Sequence, residues 1–453
     1  MTPSRAVAVV AAVAALLGTT GCGGKDQADP LTATQGVRLY GSDGNMTNAL
    51  GVAVEDYPGL LAGMKGTAPM TPLSHEFRAR LESVSRGLVD VNYAGEAYDA
   101  VMITALAVQV ARTTEGRVVR SYVNGITTAT TVGDKPAEVC DTFKECLQVI
   151  GKNDGTDFRY QGVSLRRGGF TEAGEPSTAM YGALRFSSDN RIDPGKIEFV
   201  GAGSEADTTK AKPPAPPPVN KPAFGVPLTF GTLLPKTGQG SGIYPPMMAA
   251  ITLAITEIND AGGVLGKPVV VEHKDDGTSA EKAKAATEEL IDKGVDVIIG
   301  AGGSSVSKAV LPQVTAAGVI MISPSATSDE LTALPDANLF FRTAPPDTLQ
   351  AKALADVVLR DGGQKLFIVA REDSWGTGLA ASLRTDLVAS GIKPVNIRMF
   401  MYRPGESAEQ LPTLGTLPDQ VLAFQPDGVI ILGFGETAHV ILMLVRKGIV
   451  LRR

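Results

Sequence analysis

The chain has 453 residues, 43% of them hydrophobic, enough to build a core in one large two-lobed unit or in about two or three smaller ones. A formal charge of -6 with no basic cluster gives nucleic-acid binding no support. The three histidines, His75, His273 and His439, are scattered with no second ligand at metal spacing, so packing or surface roles are expected for them, and no metal or other cofactor.

At the N-terminus Arg5 supplies a positive charge ahead of Ala6 to Leu17, an apolar run of signal-peptide length. The run is too short, and too promptly followed by polar residues, to span a membrane. It closes on Thr19-Thr20-Gly21-Cys22, which resembles a bacterial lipoprotein signal whose cysteine is lipidated and becomes the mature N-terminus. Thr19 stands where leucine is usual, and plain cleavage near this point is the alternative. The expectation is a signal peptide over 1–21, lipidation of Cys22 and a tether over 22–34. These would hold the protein in the cell envelope, at the outer face of the cytoplasmic membrane or in the periplasm. In an exported protein the remaining cysteines, Cys140 and Cys146, are expected to form a small-loop disulfide. Their spacing puts them on different faces of an ideal helix, so the pairing requires a turn between them.

Over residues 35–200 the pattern gives a short strand at Val37–Tyr40 running into Gly41-Ser42-Asp43-Gly44-Asn45, a long helix from about Glu96 to Arg112, and a strand from Gly195 to Val200. Residues 201–224 read as a linker around Lys212-Pro-Pro-Ala-Pro-Pro-Pro-Val-Asn-Lys-Pro222, an extended polyproline spacer that cannot pack a core. Residues 225–453 then alternate regularly. A β-rich run at 228–234 and a Gly/Ser loop lead to a helix over Met247–Asn259, and a strand at Pro268–Glu272 leads to a helix over Ser279–Lys293. Strands follow at Val295–Ile299, Val319–Ile322, Leu366–Val369 and Gly428–Leu432, with a helix starting near Ser304. Apolar strands alternating with helices are the signature of an α/β, doubly wound, mainly parallel sheet.

Ligands of such sheets bind at the carboxyl ends of the strands, where helix N-termini favour an anion. Two hydroxyl-rich turns occupy that position, Ala301-Gly302-Gly303-Ser304-Ser305 and Ser323-Pro324-Ser325-Ala326-Thr327-Ser328. From these residues alone a carboxylate or phosphate cradle and ordinary helix capping read equally well. Nothing in the chain reads as catalytic. There is no G-x-S-x-G elbow and no Walker motif, and Gly263-Val-Leu-Gly-Lys267 mimics only part of a P-loop before Pro268.

From Phe224 onward the chain resembles the start of a type 1 periplasmic binding protein of the leucine/isoleucine/valine-binding family. The residues that carry the likeness are Ala254-Ile-Thr-Glu-Ile-Asn-Asp-Ala-Gly-Gly-Val-Leu-Gly-Lys267, Gly300-Ala-Gly-Gly-Ser-Ser305, Ile322-Ser-Pro-Ser-Ala-Thr327, Phe341-Arg-Thr-Ala-Pro-Pro-Asp347 and Asp373-Ser-Trp-Gly-Thr-Gly-Leu379. The family's closing part is matched before the linker, by Leu39-Tyr-Gly-Ser-Asp-Gly44, Gly66-Thr-Ala-Pro69, Tyr98-Asp-Ala-Val101 and Phe158-Arg-Tyr-Gln-Gly-Val-Ser164. The resemblance implies a two-lobed Venus-flytrap fold, each lobe a doubly wound sheet, written in circularly permuted order. Residues 35–200 would be the family's C-terminal half and 225–453 its N-terminal half. Reassembly within one chain is expected over a rearranged gene or exchange of halves in a dimer.

Carried over position by position, the resemblance gives Ser304, the Ser325 backbone and Thr327 the ligand's carboxylate, with Ser305 and Ala326 also in the binding site, and places Asp347 and Asp43 at its ammonium. Trp375 would close over the ligand from the second lobe, with Tyr244 and Phe434 in cleft-lining loops. The function implied is capture of an amino acid, branched-chain or related, for an ABC transporter permease, without catalysis. The alternatives are a ligand-sensing module for a signalling partner and a rearranged, non-binding surface lipoprotein.

Overall fold

Residues 36–128, 131–132, 135–152, 158–210, 214, 226–405 and 412–452 are described by a computed structural model. The expected signal peptide, Cys22, the tether and most of the Pro-rich run lie outside these residues. Before the linker the chain forms β1 (Arg38–Gly41), α1 (Asn48–Ala53), β2 (Lys65–Pro69), α2 (His75–Val84), α3 (Ala94–Ala111) and α4 (Gly116–Thr128). The short β3 (Thr131–Val132), β4 (Lys135–Pro136) and β5 (Glu138–Cys140) precede α5 (Phe143–Lys152), β6 (Phe158–Tyr160), β7 (Thr178–Arg185) and β8 (Glu198–Gly203). After the linker come β9 (Thr229–Leu234), α6 (Tyr244–Asp260), β10 (Val270–Asp275), α7 (Ala280–Asp292), β11 (Val297–Gly300), α8 (Ser304–Ala317), β12 (Ile320–Ser323) and β13 (Phe340–Arg342). The last part holds α9 (Asp347–Arg360), β14 (Leu366–Arg371), α10 (Ser374–Ala389), β15 (Ile397–Tyr402), α11 (Leu417–Phe424), β16 (Gly428–Leu432) and α12 (Thr437–Arg446).

Twelve of these strands build two large sheets, while β3 pairs with β4 and β5 with β6 in two small ones. The first is five-stranded, in the order β10-β9-β11-β12-β13, and parallel throughout. The second is seven-stranded, in the order β15-β14-β16-β1-β2-β7-β8, parallel up to β2 and antiparallel beyond it. Strand residues alternate between the two faces of a sheet, so an apolar run buried on both faces needs helices on both. Val297 and Ile299 share one core with α3 and α6, while Ile298 between them packs with α7 and α8. In the second sheet Val429 and Ile431 face α12, and Ile430 faces α9 and α10. Helix α3 is mostly apolar and buried except at Gln109, as a helix packed between other helices and a sheet is expected to be.

Strand β1 comes from before the linker and lies between β16 and β2, with Arg38 opposite Gly428 and Gly41 opposite Ile431. Val37 N–H donates to the Val450 carbonyl at 2.8 Å, and Arg452 N–H donates back to Val37 at 2.8 Å. Residues from the two ends of the described chain are thus hydrogen-bonded to each other.

Strand β8 runs over Glu198–Gly203, later than the sequence suggests. Pro194–Lys196 is wound into a single tight turn, capped by Asp193, whose carboxylate accepts from Gly195 N–H at 3.0 Å. Gly201, Ala202 and Gly203 stay in the strand because an edge strand needs backbone pairing with β7 and not an apolar pattern. The linker therefore begins beyond residue 203. Helix α6 likewise starts at Tyr244, ahead of the expected Met247, because Pro245 and Pro246 fit a first helical turn whose N–H groups have no partner. Cys140 at the end of β5 and Cys146 in α5 are joined in a disulfide.

Besides the linker from β8 to β9, the chain passes between the lobes at residues 70–74, 171–177 and 343–346. Two of the passages are pinned together. Arg342 is 1% exposed and pairs with Glu175 at 2.5 Å, while its remaining N–H groups reach Ser328 O at 2.8 Å and Thr332 Oγ1 at 2.7 Å. Removing one partner of such a pair leaves a buried charge without its counter-ion, a loss of about 3 kcal/mol. Glu175→Ala is expected to lower the urea midpoint accordingly, and Glu175→Gln to lower it less; an unchanged midpoint for Glu175→Ala would count against this account.

Candidate functional site

Strands β11 and β12 are neighbours and parallel, so the turns at their carboxyl ends lie side by side. The Ser325 hydroxyl donates to Gly302 O at 2.8 Å, and the Ser323 hydroxyl donates to Ala301 O at 2.7 Å. Ser304 Oγ accepts the backbone N–H groups of Thr327 and Ser328, each at 3.1 Å. Ser304 therefore staples one turn to the other and keeps its own hydroxyl proton to donate. Its helix, α8, is preceded by Gly303, which has no side chain to cap the first-turn N–H groups. That end of the helix favours an anion.

These turns face β1 and β16 across a cleft of about 240 Å³. Asp43 follows β1 and lies on the opposite wall, accepting the Tyr93 hydroxyl at 2.6 Å and Gln350 Nε2 at 2.6 Å. Burial pushes the Asp43 carboxyl above the usual range, and these hydrogen bonds offset part of the rise. Trp375, in the first turn of α10, stacks on Phe434 with ring centroids 4.8 Å apart. The two rings form an aromatic wall, and Leu50, Ala53 and Ile243 add further apolar surface.

Of the residues expected in the site, Asp43, Ser304, Ser325, Trp375 and Phe434 line the cleft. Ser305, Ala326, Thr327, Asp347 and Tyr244 do not. The 323–328 turn is drawn in against Ser304, which sets Ala326 and Thr327 behind the cleft surface. Asp347 N–H is spent on the Thr327 carbonyl at 2.8 Å, so Asp347 lies a layer deeper still. Its carboxylate is fully buried and neither oxygen has a hydrogen-bond partner. Burial and the charge of Asp43 drive the Asp347 carboxyl well above its ordinary range, and the nearby Thr327 hydroxyl and Arg342 only partly oppose this. Ser305, the second residue of α8, has a buried hydroxyl without a partner. Tyr244 packs against the first-lobe core at the head of α6, leaving Gly242 and Ile243 to face the cleft.

The structure adds Tyr93, Gln239 and the 240–243 loop to the wall. The signal for the loop was the Gly/Ser run after β9. Gly238 has φ +87°, and a Cβ there would sit 2.2 Å from the Gly277 carbonyl, so only glycine allows the loop to turn toward the cleft at this point. Gly44 is needed for the same kind of close approach, since a Cβ there would lie 2.6 Å from both Gly433 O and the Phe434 ring. Among the described residues no cluster of three or more His, Cys, Asp or Glu is placed to hold a metal, and no helix is long and apolar enough to cross a membrane.

The structure has two α/β lobes around a cleft, and residues 227–443 match the family described as Periplasmic binding protein. The chain is similar to the Leu/Ile/Val-binding protein homolog 3 of Brucella melitensis, 29% identical over 170 residues that make up 37% of this chain and 46% of that protein. It is also similar to the Leu/Ile/Val-binding protein BraC3 of Rhizobium johnstonii, 31% identical over 169 residues and again covering 37% and 46%. The chain thus spans about half the length of these relatives. Among solved structures, LivJ of Streptococcus pneumoniae, a branched-chain amino acid transporter substrate-binding protein in complex with isoleucine, has a TM-score of 0.43 at 23% identity, over 50% of this chain and 63% of that one.

Glu96, in the first turn of α3 beside Tyr93, is buried, and that burial raises its pKa from 4.5 to about 8. The folded state therefore holds this proton more tightly than the unfolded chain does. Its contribution to stability is complete below about 4.5 and is lost as the pH rises toward about 8. Relative to Glu96→Gln, the wild type should lose thermal stability across that window; parallel pH profiles for the two proteins would refute the assignment.

Proposed function

We propose that the protein captures an amino acid, branched-chain or closely related, between its lobes and hands it to an ABC transporter permease, with no reaction of its own. The observation that carries this reading is the opposed chemistry of the cleft walls. Ser304 and the uncapped start of α8 offer donors to a carboxylate, and Asp43 across the cleft offers an acceptor to an ammonium. Apolar side chains lie between them, suited to an aliphatic substituent. Ligand bridging both walls would stabilise the closed form, which a transporter can recognise. The relatives named as Leu/Ile/Val-binding proteins support the choice of ligand class. Lipidation at Cys22 and a place at the outer face of the cytoplasmic membrane complete the reading.

Calorimetry against a panel of amino acids tests it. An aliphatic member should bind, and Ser304→Ala and Asp43→Asn should each weaken it by roughly 10- to 100-fold through loss of a hydrogen bond to a charged group. Absence of binding by the wild type to every member would sink the proposal.

The same reading takes the chain as a circular permutation of its family, the linker joining the family's usual ends. The pairing of β1 with β16 and the bonds between Val37 and Val450–Arg452 support it. Val37 and Leu451 are bridge partners. Cysteines placed at both should cross-link under oxidation into a species that runs as a monomer without reductant. A cross-linked dimer would instead mean that halves are exchanged between two chains.

A further inference from the structure

The loop between β9 and α6 reaches over the mouth of the cleft and bonds to the opposite lobe through one residue. Gln239 Oε1 accepts from Arg371 Nη1 at 2.6 Å, Gln239 Nε2 donates to Gly405 O at 2.8 Å, and the Gln239 carbonyl accepts from Gly435 N–H at 3.1 Å. Arg371 ends β14, Gly405 follows β15 and Gly435 follows β16, so a single first-lobe residue touches the carboxyl ends of three second-lobe strands.

Arg371 is more than an anchor for this loop. Its guanidinium is buried, which works against its charge, but Glu436 at 2.7 Å and Asp373 at 2.8 Å more than reverse that effect and hold it protonated. Its central carbon lies 4.3 Å from the centre of the Phe434 ring, and Phe434 in turn stacks on Trp375. A continuous line of contacts therefore runs from the first-lobe loop through Arg371 and Phe434 to Trp375 on the cleft wall.

We infer that Gln239 and Arg371 are positioning residues that couple closure of the lobes to the shape of the aromatic wall. Docking the loop seats Arg371 on Phe434, and Phe434 fixes the plane of Trp375 against which an apolar ligand group packs. The bearing on affinity rests on the function proposed above, whereas the latch itself acts without ligand.

Trp375 is the only tryptophan in the chain, so its emission reports the wall directly. Without ligand, Gln239→Ala should red-shift that emission and raise its quenching by acrylamide. Loss of a hydrogen bond to a charged group shifts the closed-to-open ratio by about 10-fold or more. Gln239→Glu keeps an acceptor for Arg371 while giving up the donor to Gly405, and should restore both signals. Leucine affinity should follow, about 10-fold weaker in Gln239→Ala and recovered in Gln239→Glu. Emission and quenching in Gln239→Ala equal to those of the wild type would overturn the inference. So would a change that Gln239→Glu does not rescue, since that assigns the effect to loop packing. If the wild type binds no amino acid while the emission pattern holds, the proposed function fails and the latch stands.

Discussion

The parallel pairing of β1 with β16 is the contact on which the second lobe depends. Without β1 its sheet separates into β15-β14-β16 on one side and β2-β7-β8 on the other, each with an open edge and an uncovered apolar face. The same pairing sets the cleft. Because Gly41 lies opposite Ile431, the turns that follow the two strands emerge together, one carrying Asp43 and the other Phe434. Asn45 secures them, its side-chain oxygen accepting from Ser42 N–H at 3.0 Å and its amide donating to Ile431 O at 2.8 Å. The acid and the aromatic wall are thus placed by backbone register.

Charge is distributed unevenly around this frame. Asp43 and Asp347 on the second-lobe side and Glu96 in α3 are buried carboxyls driven toward protonation by loss of solvent, and so is Asp276, which accepts from Gly302 N–H at 3.0 Å behind the first-lobe turn. The first-lobe residues that line the cleft are themselves uncharged and present N–H and O–H groups. Asp43 is well supplied with donors, whereas Asp347 has none. The buried cations lie outside this group, Arg342 at the hinge and Arg371 behind the aromatic wall, each held by its own carboxylate. An ammonium entering the cleft would therefore meet acceptors without a competing cation between them.

Much of the fold could be read from the residues. The apolar runs after the linker marked β9, β11 and β12, because strands buried on both faces have to be apolar, while the edge strand β10 was marked by its valines alone and β13 was not read. The hydroxyl-rich turns were recognisable for a similar reason, lying where such a sheet opens into helices. Less legible was what the hydroxyls do. Ser304 spends its oxygen on stapling two turns, and that contact draws Thr327 and Asp347 out of the cleft. Tyr244 packs against the first-lobe core at the head of a helix that two prolines start early. Neither Gln239 nor the Arg342–Glu175 pair leaves a local signature. The first is one polar residue in a glycine loop, and the partners of the second are 167 positions apart.

The order of the strands has a consequence for how the molecule is made. Residues bonded around the β1–β16 junction are 386 positions apart, as Asn45 and Ile431 show. A ribosome delivers β1, β2, β7 and β8 long before any strand that can cover the free edge of β1. Contacts so distant in sequence close late and slowly. Until the final strand emerges, the first-made half carries an exposed strand edge, open to pairing with another copy. The nascent chain thus has a long interval in which the β1 edge waits for β16.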